Sequence, residues 1–420
     1  MAISSLILRV KSLVAKPITA SITATIILNL ANLVTGIVLA RALGPAARGH
    51  VAALAALAIS TGTVAGLSLT DATIFFSGRR AADIQLVLGS AFVVLSTTVC
   101  LAWGVLSIAQ HVVQEAGATN RISDIVPWIM YAGIMQGALF VQTIARSLGQ
   151  FRLWFWLRVM GSWNYAIILV SLWLVVGLNE RLVGLAICLG ALIALVVGMA
   201  AMFRHIFPLQ FSRESVVQIV GYGAKLHPSA IASTMRDQFD KVILIFFVPA
   251  SAVGHYVIAI AIGTLIVSAG TSVDQVIFPR LSRITDFLER RAAYGDMVRK
   301  LVPVALLGTP IVLLVSPTLA RLMFGQKFAD HPLLIVGGAF VGILQAVKVL
   351  ANVGLKIENR PGALGANEIT GSLIGLTALP ICVHAMGILG APIASGLGVS
   401  ISLSLTVHAI VKHYRQTSTV

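Results

Sequence analysis

The segment TMRDQFDKVILIFF, residues 234–247, decides how this chain is divided into structural elements. Its first half holds four charges within six residues, Arg236, Asp237, Asp240 and Lys241, and its second half is almost wholly apolar. Taken alone, it has two interpretations. It is either a polar loop that leads into a short apolar run, or one continuous helix with the charges inside it. The rest of the sequence distinguishes between them.

Composition identifies the environment of the chain. The 420 residues are 58% hydrophobic and 11% charged, with a mean hydropathy of +0.95, whereas soluble domains have about 25% charged residues. Apolar runs of this length predict membrane-spanning helices, because the strands of membrane barrels alternate in polarity. Three cysteines lie far apart in apolar runs, so we predict buried free thiols and no metal or cofactor site.

Twelve apolar segments are long enough to cross ~30 Å of hydrocarbon at 1.5 Å per residue. We therefore predict an all-α integral membrane protein with about twelve transmembrane helices. The predicted spans lie at 18–41, 51–76, 84–109, 125–145, 154–178, 182–203, 222–248, 252–278, 301–322, 332–351, 363–384 and 388–411.

The basic residues predict the orientation. With the N-terminus in the cytoplasm, 21 of the 30 Lys and Arg residues fall on the cytoplasmic side and 6 on the outer side, while Lys225, Arg236 and Lys241 fall in the seventh span. This bias favours both termini inside, by the positive-inside rule. A basic surface beside anionic lipid also accounts for the net charge of +15, so no nucleic-acid partner is predicted.

The two halves of the chain resemble each other. Three pairs of segments recur in the same order, and the first and third pairs have offsets of 203 and 206 residues. Chance similarity between two apolar halves is the alternative, but the common order favours a repeat. The pairs are DATIFFSGRR (71–80) with DQVIFPRLSR (274–283), GPAARGHVAALA (44–55) with VPASAVGHYVIAIA (248–261), and VGLAICLG (183–190) with LGAPIASG (389–396).

Six spans in each copy imply a parallel repeat of two six-helix lobes around a central cavity, an arrangement typical of transporters. We predict a cytoplasmic amphipathic segment at 1–17 rather than a cleaved signal peptide. The lobes are predicted at 18–203 and 222–411, with a cytoplasmic linker at 204–221 and a cytoplasmic tail at 412–420.

The repeat also resolves the opening question. An offset of 204 residues aligns 236–247 with NLVTGIVLARAL (32–43), the core of the first span, so the four charges belong inside span seven. Each charge at mid-helix costs roughly 2.5–3.5 kcal/mol on insertion scales, and four cost on the order of 10 kcal/mol, so they must avoid lipid. At 100° per residue they share one face, and the i,i+4 spacing predicts Arg236–Asp240 and Asp237–Lys241 ion pairs.

Two roles follow for these charges. They either form structural ion pairs, or line a wet cavity in which Arg and Lys bind an anionic head group and Asp takes part in ion coupling. Other candidates are Asn29 and Asn32 on the first span, for which core hydrogen bonding is an equal alternative. Glu368 in span eleven is a further candidate, and it is either buried or close to the cytoplasmic mouth. Lys348 is predicted to snorkel from a cytoplasmic helix end, and Asp274 to bond to nearby Arg residues.

Several motifs resemble those of Wzx-type oligosaccharide-lipid flippases, in the polysaccharide transporter branch of the MOP superfamily. NLVTGIVLARALGPAARGHVAALAAL (32–57) resembles their first hairpin, and FDKVILIFFVPASAVGHYVIA (239–259) their Asp-then-apolar helix. IFPRLSR (277–283), LMFGQKFAD (322–330) and GILGAPIASGLG (387–398) resemble their later loops. The resemblance covers residues 18 to 412.

The resemblance implies two MATE-like lobes around a cationic cavity in a bacterial inner membrane. It implies movement of undecaprenyl-diphosphate-linked oligosaccharide from the cytoplasmic to the periplasmic leaflet by alternating access, with no enzymatic step. Membrane lipids, a proton or sodium coupling ion and polysaccharide assembly proteins are the other implied partners. Arg236 and Lys241 are carried over only as candidate cations of the cavity.

A MATE-type multidrug antiporter shares the fold and remains the alternative. A major-facilitator transporter should carry Gly-x-x-x-Asp-Arg-x-Gly-Arg-Arg between spans two and three, whereas Asp71 lies seven residues before Gly78-Arg79-Arg80 with no Arg directly after it. A sugar-lipid polymerase needs a sizeable outer loop, and the longest one predicted, 110–124, is too short. No phosphate-binding Gly-x-x-x-x-Gly-Lys-Ser/Thr is present, so ATP hydrolysis is not predicted.

Overall fold

The computed structural model describes most of the chain as helix. It describes residues 17–79, 83–115, 126–208, 210–281, 284, 286–328, 330–358 and 360–417. Within these ranges there is no β-strand, so the predicted all-α class is confirmed. The amphipathic segment predicted at 1–17 falls, except for Pro17, outside the described residues, as do the last three residues of the predicted tail.

Thirteen α-helices make up the described chain. They are α1 Pro17–Gly66, α2 Leu69–Arg79, α3 Ile84–Glu115, α4 Val126–Ser147, α5 Phe151–Val175, α6 Glu180–Ile206, α7 Arg213–Thr234, α8 Asp240–Phe247, α9 Ala250–Leu281, α10 Phe287–Phe324, α11 Pro332–Ile357, α12 Pro361–Met386 and α13 Gly390–Thr417. A π-helical turn, Met235–Phe239, joins α7 to α8.

The helices agree with the predicted number of spans. Nine described segments are long and apolar enough to cross a membrane, and two of them, Thr23–Gly66 and Gly362–Gln416, are 44 and 55 residues long. A span needs only about 20 residues. Each long segment holds a glycine with positive φ, Gly44 at 75° and Gly387 at 59°, where the backbone leaves the helix and one segment becomes two spans. The charged helix formed by α7, the π turn and α8 is not one of these nine segments, and we count it as the twelfth span.

The chain packs as two compact units. The first comprises residues up to Leu43 together with Leu54–Thr234, and the second comprises Gly44–Ala53 together with Met235–Val420. The division within span seven falls at the start of the π turn. The two predicted six-helix lobes and their parallel repeat stay predictions.

The first unit has one large apolar core. Its buried side chains come from α2 to α7 and include Leu88, Phe140, Ile144, Leu157 and Met202. Burial of such side chains is the expected result of long apolar helices packing on one another. Asn29 and Asn32 lie in this first unit, whereas the cavity described below is lined by residues of the second unit.

Glycines bring the helices of the second unit close together. A Cβ at Gly263 of α9 would lie 2.6 Å from the carbonyl oxygen of Gly338 on α11. On α12, a Cβ at Gly371 would lie 2.5 Å from the carbonyl oxygen of Gly398 on α13. Small residues at such contacts are typical of helix packing in membranes, where close backbone approach replaces the hydrophobic effect. The close approach fixes α9, α11, α12 and α13 around the polar residues between them.

The outward faces of the helices are apolar. On α10, Leu306, Leu307 and Leu314 are 69%, 73% and 80% exposed. Exposed apolar side chains in such numbers mark a surface that meets something other than water. Together with the helix lengths, they indicate a lipid-facing surface.

Candidate functional site

The π turn changes the pairing of the four charges in span seven. Arg236 Nε donates to Asp237 Oδ1 at 2.9 Å, and Lys241 Nζ donates to Asp240 Oδ1 at 3.1 Å. The predicted i,i+4 pairs, Arg236–Asp240 and Asp237–Lys241, are therefore wrong. A π turn closes hydrogen bonds from i to i+5 and is wider than an α-helical turn, so residues four apart across it no longer stack on one another.

Glu368 on α12 binds three side chains at once, which we call the Glu368 cluster. Its Oε2 accepts hydrogen bonds from Arg236 Nη1 at 2.8 Å and from Lys348 Nζ at 2.9 Å. Its Oε1 accepts one from Asn352 Nδ2 at 3.0 Å. Lys348 and Asn352 are one helical turn apart on α11, so both reach the same carboxylate.

Lys348 corrects a prediction. It was expected to snorkel from a helix end, but it is only 4% exposed and bonds to Glu368. The reason is the length of α11, which continues to Ile357 instead of ending near 351. Lys348 therefore lies more than two turns inside the helix, and Asn352, which the sequence did not single out, lies beside it. Their i,i+4 spacing was the signal that could have revealed both.

Asp240 forms a second buried group. It is 9% exposed, and its Oδ2 accepts a 2.7 Å hydrogen bond from the hydroxyl of Tyr256, which is fully buried. The same hydroxyl lies 3.3 Å from Ser395 Oγ on α13. Lys241 Nζ also donates to the backbone oxygen of Asp237 at 2.5 Å. These contacts fix the start of α8 against α9 and α13.

A cavity of about 500 Å³ connects the two groups within the second unit. All four charges of span seven line it, as do Lys348 and Glu368, and the apolar part of the wall includes Val257, Ile260 and Leu379. This volume is within the range of ligand pockets, about 300–1,000 Å³. Charged side chains that face a cavity inside membrane-length helices are functional candidates.

Among the described residues that line this cavity, the formal charges cancel. Three cations, Arg236, Lys241 and Lys348, face the three carboxylates of Asp237, Asp240 and Glu368. This balance differs from the cationic cavity that the family resemblance implies. Any anion that binds to these cations must therefore compete with a carboxylate of the protein.

The remaining sequence candidates lie elsewhere. Asn29 is half-buried and Asn32 is exposed on α1 in the first unit, and neither lines the cavity of the second. Both carboxylate oxygens of Asp274 accept hydrogen bonds from Lys356 Nζ, at 3.1 and 2.9 Å. The side chains of Arg280 and Arg283, the nearby arginines expected to bond to Asp274, lie outside the described residues. The packing of α9 against α11 brings Asp274 together with a lysine 82 residues away in the sequence.

A further charged group lies outside the cavity. The carboxylate of Glu358, 5% exposed, accepts hydrogen bonds from Arg290 Nε and Nη2 at 3.1 and 3.0 Å, and lies 3.3 Å from His413 Nε2. It ties the start of α10 to the ends of α11 and α13.

In the described part of the chain, no group of His, Cys, Asp or Glu side chains is arranged to hold a metal ion.

The all-helical fold and the charged cavity define a multi-pass membrane protein of the transporter class. The family model described as "Polysaccharide biosynthesis protein" matches residues 14–285. The chain belongs to this family.

Two solved structures and one curated protein are similar to this chain. The lipid II flippase MurJ in an inward closed conformation has a TM-score of 0.74 at 10% identity, covering 92% of this chain and 86% of MurJ. An inward-facing multidrug resistance MATE family transporter of the MOP superfamily has a TM-score of 0.66 at 16% identity, covering 93% and 95%. The probable low-salt glycan biosynthesis flippase Agl15 of Haloferax volcanii is 26% identical over 185 residues, 43% of this chain. The match spans only 39% of the length of Agl15. The structural similarities establish a MOP-type fold.

Proposed function

We propose that this protein is a flippase for undecaprenyl-diphosphate-linked oligosaccharide. It moves the lipid-linked repeat unit of a polysaccharide from the cytoplasmic to the periplasmic leaflet of a bacterial inner membrane by alternating access. The observation that carries the proposal is the Glu368 cluster, in which two cations converge on one carboxylate oxygen beside a cavity inside the spans. Membership of the polysaccharide biosynthesis family and similarity to a lipid II flippase and a glycan flippase support it.

The chemistry of the substrate explains the need for these cations. A diphosphate is an anion that hydrocarbon excludes, because a charge without partners in a medium of low dielectric constant is strongly unfavourable. Charge-assisted hydrogen bonds from Arg and Lys are the strongest contacts available to phosphate oxygens. Arg236, Lys241 and Lys348 are the proposed head-group contacts, and Asn29 and Asn32 stay proposed substrate-binding residues.

The remaining parts of the proposal follow from the predicted topology. The two lobes, 18–203 and 222–411, alternate in access, and both termini lie in the cytoplasm. A proton or sodium gradient drives the cycle through the carboxylates Asp237, Asp240 and Glu368. Polysaccharide assembly proteins receive the product, and the protein itself makes and breaks no covalent bond.

Deletion of the gene tests the function. We expect undecaprenyl-linked oligosaccharide to accumulate in the cytoplasmic leaflet, measured by its protection from an added glycan-binding lectin in spheroplasts and its accessibility in inverted vesicles. Plasmid-borne wild-type protein should reverse the accumulation. Unchanged lipid-linked oligosaccharide together with increased drug sensitivity would contradict the flippase and favour the MATE-type multidrug antiporter, whose fold is the same.

Substitutions in the cavity test the site. Arg236→Ala and Lys241→Ala should abolish reversal of the accumulation while the membrane level of the protein stays near normal. Lys300→Ala is the matched control, because its side chain is 74% exposed and pairs with Asp296. Normal transport by both cavity variants would refute the cavity assignment, and loss of both from the membrane would assign the charges to structural ion pairs.

A further inference from the structure

We propose that Glu368 is a built-in competitor for an anion-binding site formed by Arg236 and Lys348. The site accepts a phosphate or diphosphate group, and the Glu368 carboxylate occupies it when no ligand is bound. That the ligand is a lipid head group rests on the proposed function, whereas the competition itself does not.

The geometry of the donors supports this proposal. Arg236 Nη1 and Lys348 Nζ come from different helices, yet both donate to the same oxygen, Oε2 of Glu368, at 2.8 and 2.9 Å. Two cationic donors that converge on one point are placed as they would be for a phosphate oxygen. Asn352 holds the other carboxylate oxygen, and its own Oδ1 lies 3.4 Å from Thr406 Oγ1. The carboxylate therefore has the same surroundings as a bound anion.

Lys348 requires an anion at this point. It is 4% exposed, and within the described residues Glu368 is the acceptor for its ammonium group. Leaving a buried ammonium without a counter-ion is strongly unfavourable. If Glu368 moves away, another anion must replace it, so the arrival of a ligand and the departure of Glu368 are linked.

Arg236 bonds to two carboxylates, those of Asp237 and Glu368, and it can release Glu368 while Asp237 still holds it. Its Nε and Nη2 donate to the two carboxylate oxygens of Asp237, at 2.9 and 3.4 Å, and only Nη1 points to Glu368. Departure of Glu368 would leave the guanidinium oriented with Nη1 directed at the vacant position. Both Arg236 and Lys348 line the cavity of about 500 Å³, which supplies room for an incoming phosphate.

Binding of inorganic pyrophosphate to the purified full-length protein tests the competition. Glu368→Gln keeps the shape of the side chain but removes its charge, and should lower the dissociation constant about tenfold, the gain expected if Glu368 occupies the site nine-tenths of the time. Asp296→Asn is the matched control, because it removes one negative charge from an exposed pair with Lys300 outside the cavity and does not contact Arg236 or Lys348. Adding Lys348→Gln to Glu368→Gln should abolish the gain.

A second arm uses undecaprenyl diphosphate in nanodiscs and separates the two proposals. If Glu368→Gln tightens both ligands, the anion site and its lipid substrate are supported together. If it tightens pyrophosphate alone, the competition stands and the proposed lipid substrate is contradicted. Equal affinities of wild type and Glu368→Gln, or an equal gain from Asp296→Asn, would overturn the competition.

A folding failure would also be decisive. Glu368→Asp keeps the charge but is too short to reach both cations, so it should fold and bind pyrophosphate more tightly than wild type. If Glu368→Gln does not elute as a monodisperse species, the same comparison is made with Glu368→Asp. Failure of both variants to fold would make Glu368 a structural residue and refute the proposal.

Discussion

The hydroxyl of Tyr256 donates a 2.7 Å hydrogen bond to Oδ2 of Asp240, and both residues are buried. The bond joins α8 to α9 at the first residue after the π turn. The carboxylate that the sequence assigned to an ion pair is thus shared between a lysine and a tyrosine. Its partner on α9 lies sixteen residues further along the chain.

Tyr256→Phe should destabilise the protein. Hydrogen bonds to charged groups contribute about 1.5–3 kcal/mol, against about 0.5–1.5 kcal/mol for neutral ones. The control is Tyr294→Phe, because the Tyr294 hydroxyl donates to a neutral backbone oxygen, that of Ala351, at 3.3 Å. Thermal unfolding in detergent should show a larger decrease in melting temperature for Tyr256→Phe. Equal decreases would contradict a charge-assisted bond.

Two glycines in the second unit should not tolerate a side chain. A Cβ at Gly49 would collide with the backbone oxygen of Ala250, and a Cβ at Gly254 with that of Pro45. Gly49→Ala and Gly254→Ala should therefore lower the yield of monodisperse protein in gel filtration. Gly308→Ala is the control, since a Cβ there meets nothing within 4 Å and alanine favours the helix. A normal yield for both variants would show that the backbone around Gly49 and the backbone around Gly254 can separate without destabilising the protein.

The Asp274–Lys356 pair should behave as one energetic unit. Asp274→Asn and Lys356→Gln should each lower the melting temperature, and the double variant should lower it by less than their sum. Residues in contact typically show coupling energies of about 0.5–3 kcal/mol. The charge-reversed pair, Asp274→Lys with Lys356→Asp, should recover part of the loss. Strictly additive effects would mean that the two side chains do not interact in the membrane.

Removal of the buried charge at Glu358 should be costly. Glu358→Gln leaves Arg290, whose side chain is only 17% exposed, without its carboxylate, and breaking a buried pair typically costs about 3–5 kcal/mol. Asp296→Asn breaks the pair with Lys300, whose side chains are 54% and 74% exposed, and should change little. The two variants are compared by melting temperature in the same detergent. A loss no greater for Glu358→Gln than for Asp296→Asn would contradict a stabilising role.

The span pattern could be predicted because it depends on local sequence. Long apolar runs require membrane helices, and Gly44 and Gly387 punctuate them where the backbone needs positive φ. The position of the four charges inside span seven could also be predicted, because residues 236–247 align with residues 32–43 of the first apolar span.

The contacts inside the site could not be predicted, because they depend on distance and helix register. Glu368 meets Arg236 across 132 residues of sequence, and no local pattern specifies that pair. A one-residue change of register in the π turn exchanged the partners of all four charges. Lys348 was misplaced because an error of six residues in a helix end separates an interfacial position from a buried one.

Lys241 also forms a hydrogen bond with the π turn itself. In an α-helix the carbonyl of Asp237 would accept the N–H of Lys241, but that N–H donates to Asp240 Oδ1 at 2.8 Å, and the ammonium of Lys241 takes the carbonyl instead. The ammonium therefore bonds to the backbone oxygen of Asp237 inside the turn and to the side chain of Asp240 directly after it, and it stabilises the wide turn from both positions. Closing it would rotate Arg236 by about 100° relative to α8, away from Glu368. One lysine thus sets the direction in which an arginine five residues earlier points.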